Sequence, residues 1–230
     1  MHMNKIYSKH LFEIRYKANP GFLDKRGEIV TSISSSYFDR WGVSSNRIEW
    51  RSKKEENILA FLSLRNLGLQ TSYPISADQF KEKTKDFLRA AWGYFLTDKI
   101  IRIGIRSTYL IETQEFVKSF SKIRQKFLAL SSADEARFGG SLIDLGFPLN
   151  FAVNDDFFNV SIGPMNKEQA KGEFEIDEKL LPESVVFLDV DYFRNEVSPH
   201  ITQKNVFGLV DLGIKKAEEI KDLLYDWVVV

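Results

Sequence analysis

Two pairs of charged residues open the chemistry this chain could do. In IIRIGIRSTYLIE (100–112), Arg102 and Arg106 fall on one side of an alternating strand, with Ile101, Ile103, Ile105 and Tyr109 read as the other side. In SVVFLDVDYF (184–193), Asp189 and Asp191 stand two apart, so a strand aims both carboxylates the same way. A third charged strand face comes from LFEIRYK (11–17), where Glu13, Arg15 and Lys17 alternate with Phe12, Ile14 and Tyr16. If these strands are neighbours, three outcomes are open. The arginines pair with the aspartates as a solvated cross-strand ladder. Alternatively, their forked donors hold a carboxylate or phosphate. Or the aspartates hold Mg²⁺ or Mn²⁺, with Glu13 or Asp144 as further oxygen ligands. The expected ligand-binding set is Arg15, Arg102, Arg106, Asp189 and Asp191, with no metal and no cofactor assigned.

Other chemistries lack their residues. The chain has no cysteine, which removes disulfides, thiolate nucleophiles and zinc ribbons, and suits a reducing compartment. Of three histidines, His2 belongs to a leading Met1-His2-Met3 that reads as vector-derived, His10 lies near the start, and His200 precedes the last helix, so no pair stands at ligand or triad spacing. Ser34-Ser35-Ser36 is not within a G-x-S-x-G elbow, and Gly139-Gly140 and Gly146 form no phosphate loop.

The elements that must position the charges follow from periodicity. Strand 11–17 is stopped by Asn19-Pro20-Gly21, and helical spacing then runs from Phe22 through Ile29, Ile33 and Tyr37 to Trp41, with Gly42 as C-cap. Three short strands follow at 47–51, 58–65 and 68–74. Ser76 caps an amphipathic helix carrying Phe80, Phe87, Leu88, Ala91 and Phe95. Strand 100–111 leads into a helix from about Thr113 with Phe116, Phe120, Ile123, Phe127 and Leu130 on one stripe. After the break at SSADEARFGG, strands are expected at 142–153, 157–164 and 184–193, and a helix at about 203–227. The polar stretch 165–183 reads as an edge excursion or loop. This is an α+β fold, an antiparallel sheet with helices on one face, in which two β-α-β-β-β-α pseudo-repeats (about 9–97 and 98–230) pack as one unit.

Together, the FEIRYK strand, the RIGIRSTYLIE strand and the FLDVDYF strand before a long C-terminal helix resemble a sporadically distributed prokaryotic family of uncharacterised proteins of about this length. The family's central segment usually reads R-I-G-L-R-Y, and Ser107-Thr108-Tyr109 departs from it here. The resemblance spans nearly the whole chain and implies kinship of fold and a bacterial or archaeal origin. It carries over no activity and no catalytic residue.

Composition narrows the function classes. With 43% hydrophobic residues the chain can build a large core, which excludes a disordered protein. Lys and Arg balance Asp and Glu at 32 each, so no net field draws the chain to nucleic acid or an anionic membrane. No window has the length of uncharged apolar residues that a membrane span needs, and a cytoplasmic protein is expected. Most aromatics sit at core positions. Stacking of single-stranded nucleic acid would need Trp50 or Tyr73 on the open sheet face beside Arg47 and Arg51. The apolar end Trp227-Val228-Val229-Val230 either packs on the chain's own sheet or makes a dimer or partner contact. The resulting expectation is a non-enzymatic binding or protein-interaction module, with a protein partner or self-association. A metal-dependent hydrolase or nuclease using Asp189 and Asp191, and a single-stranded nucleic-acid binder, are the alternatives.

Overall fold

The computed structural model describes residues 5–34, 38–52, 54–94, 99–174, 176–198 and 200–228. Nine strands form a single antiparallel sheet in the order β2-β3-β4-β5-β1-β6-β9-β8-β7. They are β1 (Ile6–Tyr16), β2 (Arg40–Val43), β3 (Arg47–Arg51), β4 (Ile58–Ser63), β5 (Asn66–Ser72), β6 (Ile100–Glu112), β7 (Phe147–Val153), β8 (Asp156–Asn166) and β9 (Ser184–Asn195). Six helices accompany them among the described residues: α1 (Gly21–Ile33), α2 (Ala77–Ala91), α3 (Phe116–Phe127), α4 (Ser132–Arg137), α5 (Lys167–Glu173) and α6 (Gln203–Val228). None of the described helices is long and apolar enough to cross a membrane.

The sheet is organised by the long central strands. β1 pairs with β6 from Ile6 opposite Ile111 to Arg15 opposite Arg102, and β6 pairs with β9 from Arg102 opposite Asn195 to Glu112 opposite Val185. Because side chains alternate, these registers sort the sheet into two faces. Phe12 and Ile14 of β1, Ile103 and Ile105 of β6, and Val186, Leu188 and Val190 of β9 all point to one face and are buried. α1, α2, α3 and α6 cover that face, with α6 crossing β6 and β9. Gly213 of α6 permits the crossing, since a Cβ there would lie 2.9 Å from Ile105 Cβ.

Local sequence explains the helix ends. Ser76 accepts from the Gln79 amide and Gln79 reaches back to the Ser76 amide, a reciprocal cap that starts α2 as the sequence indicates. Asn166 and Gln169 repeat the device at α5. Phe95, expected on the α2 stripe, lies outside the described residues.

Three expectations need correction. The helix read from Phe22 to Trp41 ends at Ile33, where Ser34 turns extended. Arg40–Val43 instead forms β2 at the sheet edge, with Trp41 opposite Trp50, so the apolar spacing that reached Trp41 was strand pairing and Gly42 caps nothing. Tyr37, Ser35 and Ser36 lie outside the described residues. The stretch 165–183 is not an excursion: α5 and a 3-10 turn at Glu178–Leu180 fold onto the face opposite the four helices, burying Ala170, Phe174 and Leu181 against Tyr7, Leu110 and Val185. Its few apolar residues are spaced to cover one end of the sheet, although its composition is polar. Finally, the chain order is β-α-β-β-β-β-α up to α2 and carries α4 and α5 after it, so the halves do not share one six-element pattern. At the C-terminus, Val228 is buried and Trp227 packs against Phe127 (5.7 Å between ring centroids); Val229 and Val230 lie outside the described residues.

On the face opposite the four helices, the Phe61 ring of β4 occupies the space beside Gly68 of β5. A Cβ at Gly68 would stand 2.2 Å from the Phe12 carbonyl oxygen and 2.6 Å from Phe61 Cζ. Backbone cannot yield as a flexible side chain does. Gly68→Ala is therefore expected to cost on the order of 2 kcal/mol, read as a lower midpoint in urea unfolding at unchanged slope. An unchanged midpoint would contradict this packing.

Candidate functional site

The uncovered face presents the charged residues that the sequence singled out. Arg15, Arg102, Arg106, Asp189 and Asp191 all lie on it, on the adjacent strands β1, β6 and β9. Arg106 stands directly opposite Asp191 and Thr108 opposite Asp189. The arginine hydrogen bonds run on the diagonals, and that of Thr108 runs straight across. Arg106 donates from Nε to both Asp189 oxygens at 2.8 and 3.0 Å, and Thr108 Oγ1 donates to Asp189 at 2.7 Å. Arg102 Nη2 donates to Asp191 at 2.6 Å. The ladder that alternation suggested is formed.

Its geometry depends on two residues that the charge pattern alone does not name. Gly104 separates the arginines on the same face, and a Cβ there would lie 3.6 Å from the Arg102 guanidinium carbon. The Arg102 side chain runs over this glycine and stacks on Phe193 with Cζ 4.1 Å from the ring centroid. Gly104 was legible, since R-I-G-I-R alternation puts it between the arginines; Phe193 required the β6–β9 register. On the other flank, Glu13 accepts from Arg15 Nε at 2.6 Å and from Asn66 Nδ2 at 2.7 Å. Leu11, Glu13, Arg15, Arg102, Gly104, Arg106 and Asp191 enclose a hollow of about 70 Å³.

Burial grades the ladder. Asp189 keeps 10% of its side chain exposed and Arg102 20%, whereas Arg106 keeps 54% and Arg15 53%. The hydrogen bond to Asp189 raises the Arg106 pKa further, against a desolvation that works the other way. Arg106 binds through Nε, and its two Nη groups donate to no described residue.

The metal reading loses its ligands here. Both aspartates are committed to guanidinium groups, Glu13 is held by Arg15 and Asn66, and Asp144 accepts from Gln169 and from the Leu145 amide. Among the described residues no group of three His, Cys, Asp or Glu is placed to hold an ion. The stacking platform expected of Trp50 or Tyr73 beside Arg47 and Arg51 is not formed. Trp50 is fully buried on the helix-covered face against Phe87, so it is on the side opposite Arg47 and Arg51. Tyr73 packs on Tyr7. On the open face, Arg47 lies over Phe61 and Arg102 over Phe193, while Phe157 of β8 stacks on Phe193 at 5.6 Å and stays exposed.

His10 was read as a residue near the terminus, but it is 1% exposed in the middle of β1, on the helix-covered face. It stands opposite Thr71 on one side and Ser107 on the other, and Nδ1 pairs with Ser107 Oγ at 2.9 Å. Tyr109, two residues on from Ser107, donates to Glu218 of α6 at 2.7 Å. Burial pushes the imidazole pKa down to about 4, outweighing the opposing pull of Glu218. This row is sealed under α2 and α6 and is a polar strip of the core. A hollow of about 980 Å³ lies at the strand ends between Asn154, Glu196 and His200. Asn154 and Glu196 adopt φ of 56° and 48°, a conformation that costs a glutamate on the order of 1 kcal/mol.

No family model matches the chain, and no curated protein matches it.

Two expectations follow. Asp189→Ala leaves Arg106 and Thr108 without their shared acceptor and should cost about 1–3 kcal/mol, whereas Arg106→Ala, at a half-exposed position, should cost under about 1 kcal/mol in chemical denaturation. Equal costs would contradict the graded burial. His10 binds its proton less readily folded than unfolded, so its contribution is complete above pH 6.5 and is lost as pH falls from there to about 4. The loss should reach about 3 kcal/mol and be absent in His10→Leu. A wild-type stability profile flat across that window would exclude a neutral buried His10.

Proposed function

We propose that this protein is a non-enzymatic interaction module whose uncovered sheet face receives a partner protein. The observation that carries this reading is Arg106: its guanidinium is oriented by Asp189 through Nε, while its outer fork faces solvent with Arg15 on the neighbouring strand β1. A fork held in place loses little freedom when it meets a carboxylate, which favours acidic side chains on the partner. Arg15, Arg102 and Arg106 supply donors, and Asp189 and Asp191 orient the two arginines of β6. The commitment of both aspartates to arginine supports binding over metal-dependent hydrolysis. Kinship with the sporadic prokaryotic family, and the cytoplasmic setting expected from the sequence, belong to the same proposal.

The test is isolation from the native host at low salt, comparing wild type with the double variant Arg15→Glu/Arg106→Glu. Wild type should retain a defined protein in fixed stoichiometry, and the double variant, folded by circular dichroism, should lose it by about tenfold or more. The same partner in the same amount on both would contradict the assignment. So would salt-sensitive retention of nucleic acid instead of protein.

A further inference from the structure

The two ends of the sheet differ. β2 is four residues long and begins with Arg40, a charge that disfavours pairing with another strand. β7 is seven residues long, reads FPLNFAV, and carries no charge. It borders only β8, with Phe151 43% and Val153 54% exposed. Phe138 and Ile143, in the chain leading into it, are more than 80% exposed. Such an edge offers unpaired backbone to another strand.

Hairpin geometry shows which backbone groups are offered. Asn154-Asp155 is a two-residue turn with Val153 opposite Asp156, so that flanking pair is bonded reciprocally and the bonded pairs alternate from there. Phe147, Leu149, Phe151 and Val153 therefore bond inward to β8. Pro148, Asn150 and Ala152 turn their backbone groups out. The position of Pro148 agrees independently, since a proline in a sheet belongs where its missing N–H faces away from the ladder.

We propose that β7 pairs with β7 of a second copy of this chain, antiparallel about a twofold axis at Asn150. In that register the outward groups pair except at Pro148, which has no N–H to give to the Ala152 carbonyl of the second copy. Asn150 meets Asn150 with two reciprocal N–H to C=O bonds, and each Ala152 N–H donates to the opposing Pro148 carbonyl, the group proline retains. Each Ala152 carbonyl faces the Pro148 ring without a ladder donor, so the pairing is held by the two Asn150 bonds and the two Ala152 donors. On the helix-covered side, Leu149 meets Phe151 of the second copy, and no charges oppose one another. The pairing joins two nine-stranded sheets edge to edge. It leaves the arginine face free and does not rest on the partner reading of that face.

Sedimentation equilibrium of the full chain should show a reversible dimer whose fraction rises with concentration. Asn150→Pro, which removes the central donors, and Phe151→Lys, which puts a charge on the edge, should each weaken it about tenfold or more while the far-ultraviolet spectrum is kept. The chain has no cysteine, so single-cysteine variants report geometry directly. Residues opposite one another in a bonded antiparallel pair stand about 5.5 Å apart at Cα, within disulfide reach. Asn150→Cys should oxidise to a covalent dimer about tenfold or more faster than Glu168→Cys on exposed α5. A monomer at all concentrations overturns the proposal. So does a dimer indifferent to both β7 substitutions, or equal oxidation of the two cysteine variants.

Discussion

The pairing of β1 with β6 is the constraint on which the rest of the molecule depends. These two strands lie at the middle of the sheet, and their register decides the face of every side chain on them. A slip of one residue would put Arg102 and Arg106 under α6 and expose Ile103 and Ile105. The cost of burying two unpaired guanidinium groups rules that out by several kcal/mol. The apolar set on one face and the charged set on the other thus specify the same register. β9 inherits it from β6, which is why Asp189 and Asp191 arrive beside the arginines.

The ladder on the uncovered face is better understood as orientation than as stability. Half-buried ion pairs repay little more than their desolvation. What they accomplish is to hold long, flexible side chains in one geometry. Arg102 lies along the sheet over Gly104 and Phe193, and Arg106 is anchored at Nε with its fork outward. α5 closes one end of the same face with Phe174 and Ala170, so the exposed strip is bounded rather than continuous. An antiparallel sheet commonly leaves one face in water; here that face also carries a fixed pattern of donors.

Much of this was legible in the residues. Strict alternation in RIGIRST and FLDVDYF placed the four ladder residues on shared faces before any strand order was known. The polar strip was legible too: extending the alternation of FEIRYK backwards puts His10 with Phe12 and Ile14 on the covered face, and only an early stop at Leu11 hid it. Other features depended on partners distant in sequence. Trp41 fits helical spacing and strand pairing equally well, and the choice is made by Trp50 across β3. Trp50 is apolar and sits between charged neighbours, yet its face is set by β4. α5 looked like a loop because its few buried residues, Ala170, Phe174 and Leu181, are too sparse to make a stripe. No periodicity in β1 reports that Glu13 would be claimed by Asn66 from β5.

The claim that the ladder fixes the arginines on the uncovered face is tested most directly by nuclear magnetic resonance of the arginine side chains. The Nε–Hε groups of Arg102, stacked and buried, and of Arg106, bonded to Asp189, should give dispersed resonances whose protons exchange with water far more slowly than those of Arg51 on the same face. Removal of Asp189 should collapse the Arg106 signal toward the free position while that of Arg102 stays. Resonances of Arg102 and Arg106 that overlap with free arginine and exchange as fast would show mobile side chains and contradict the account.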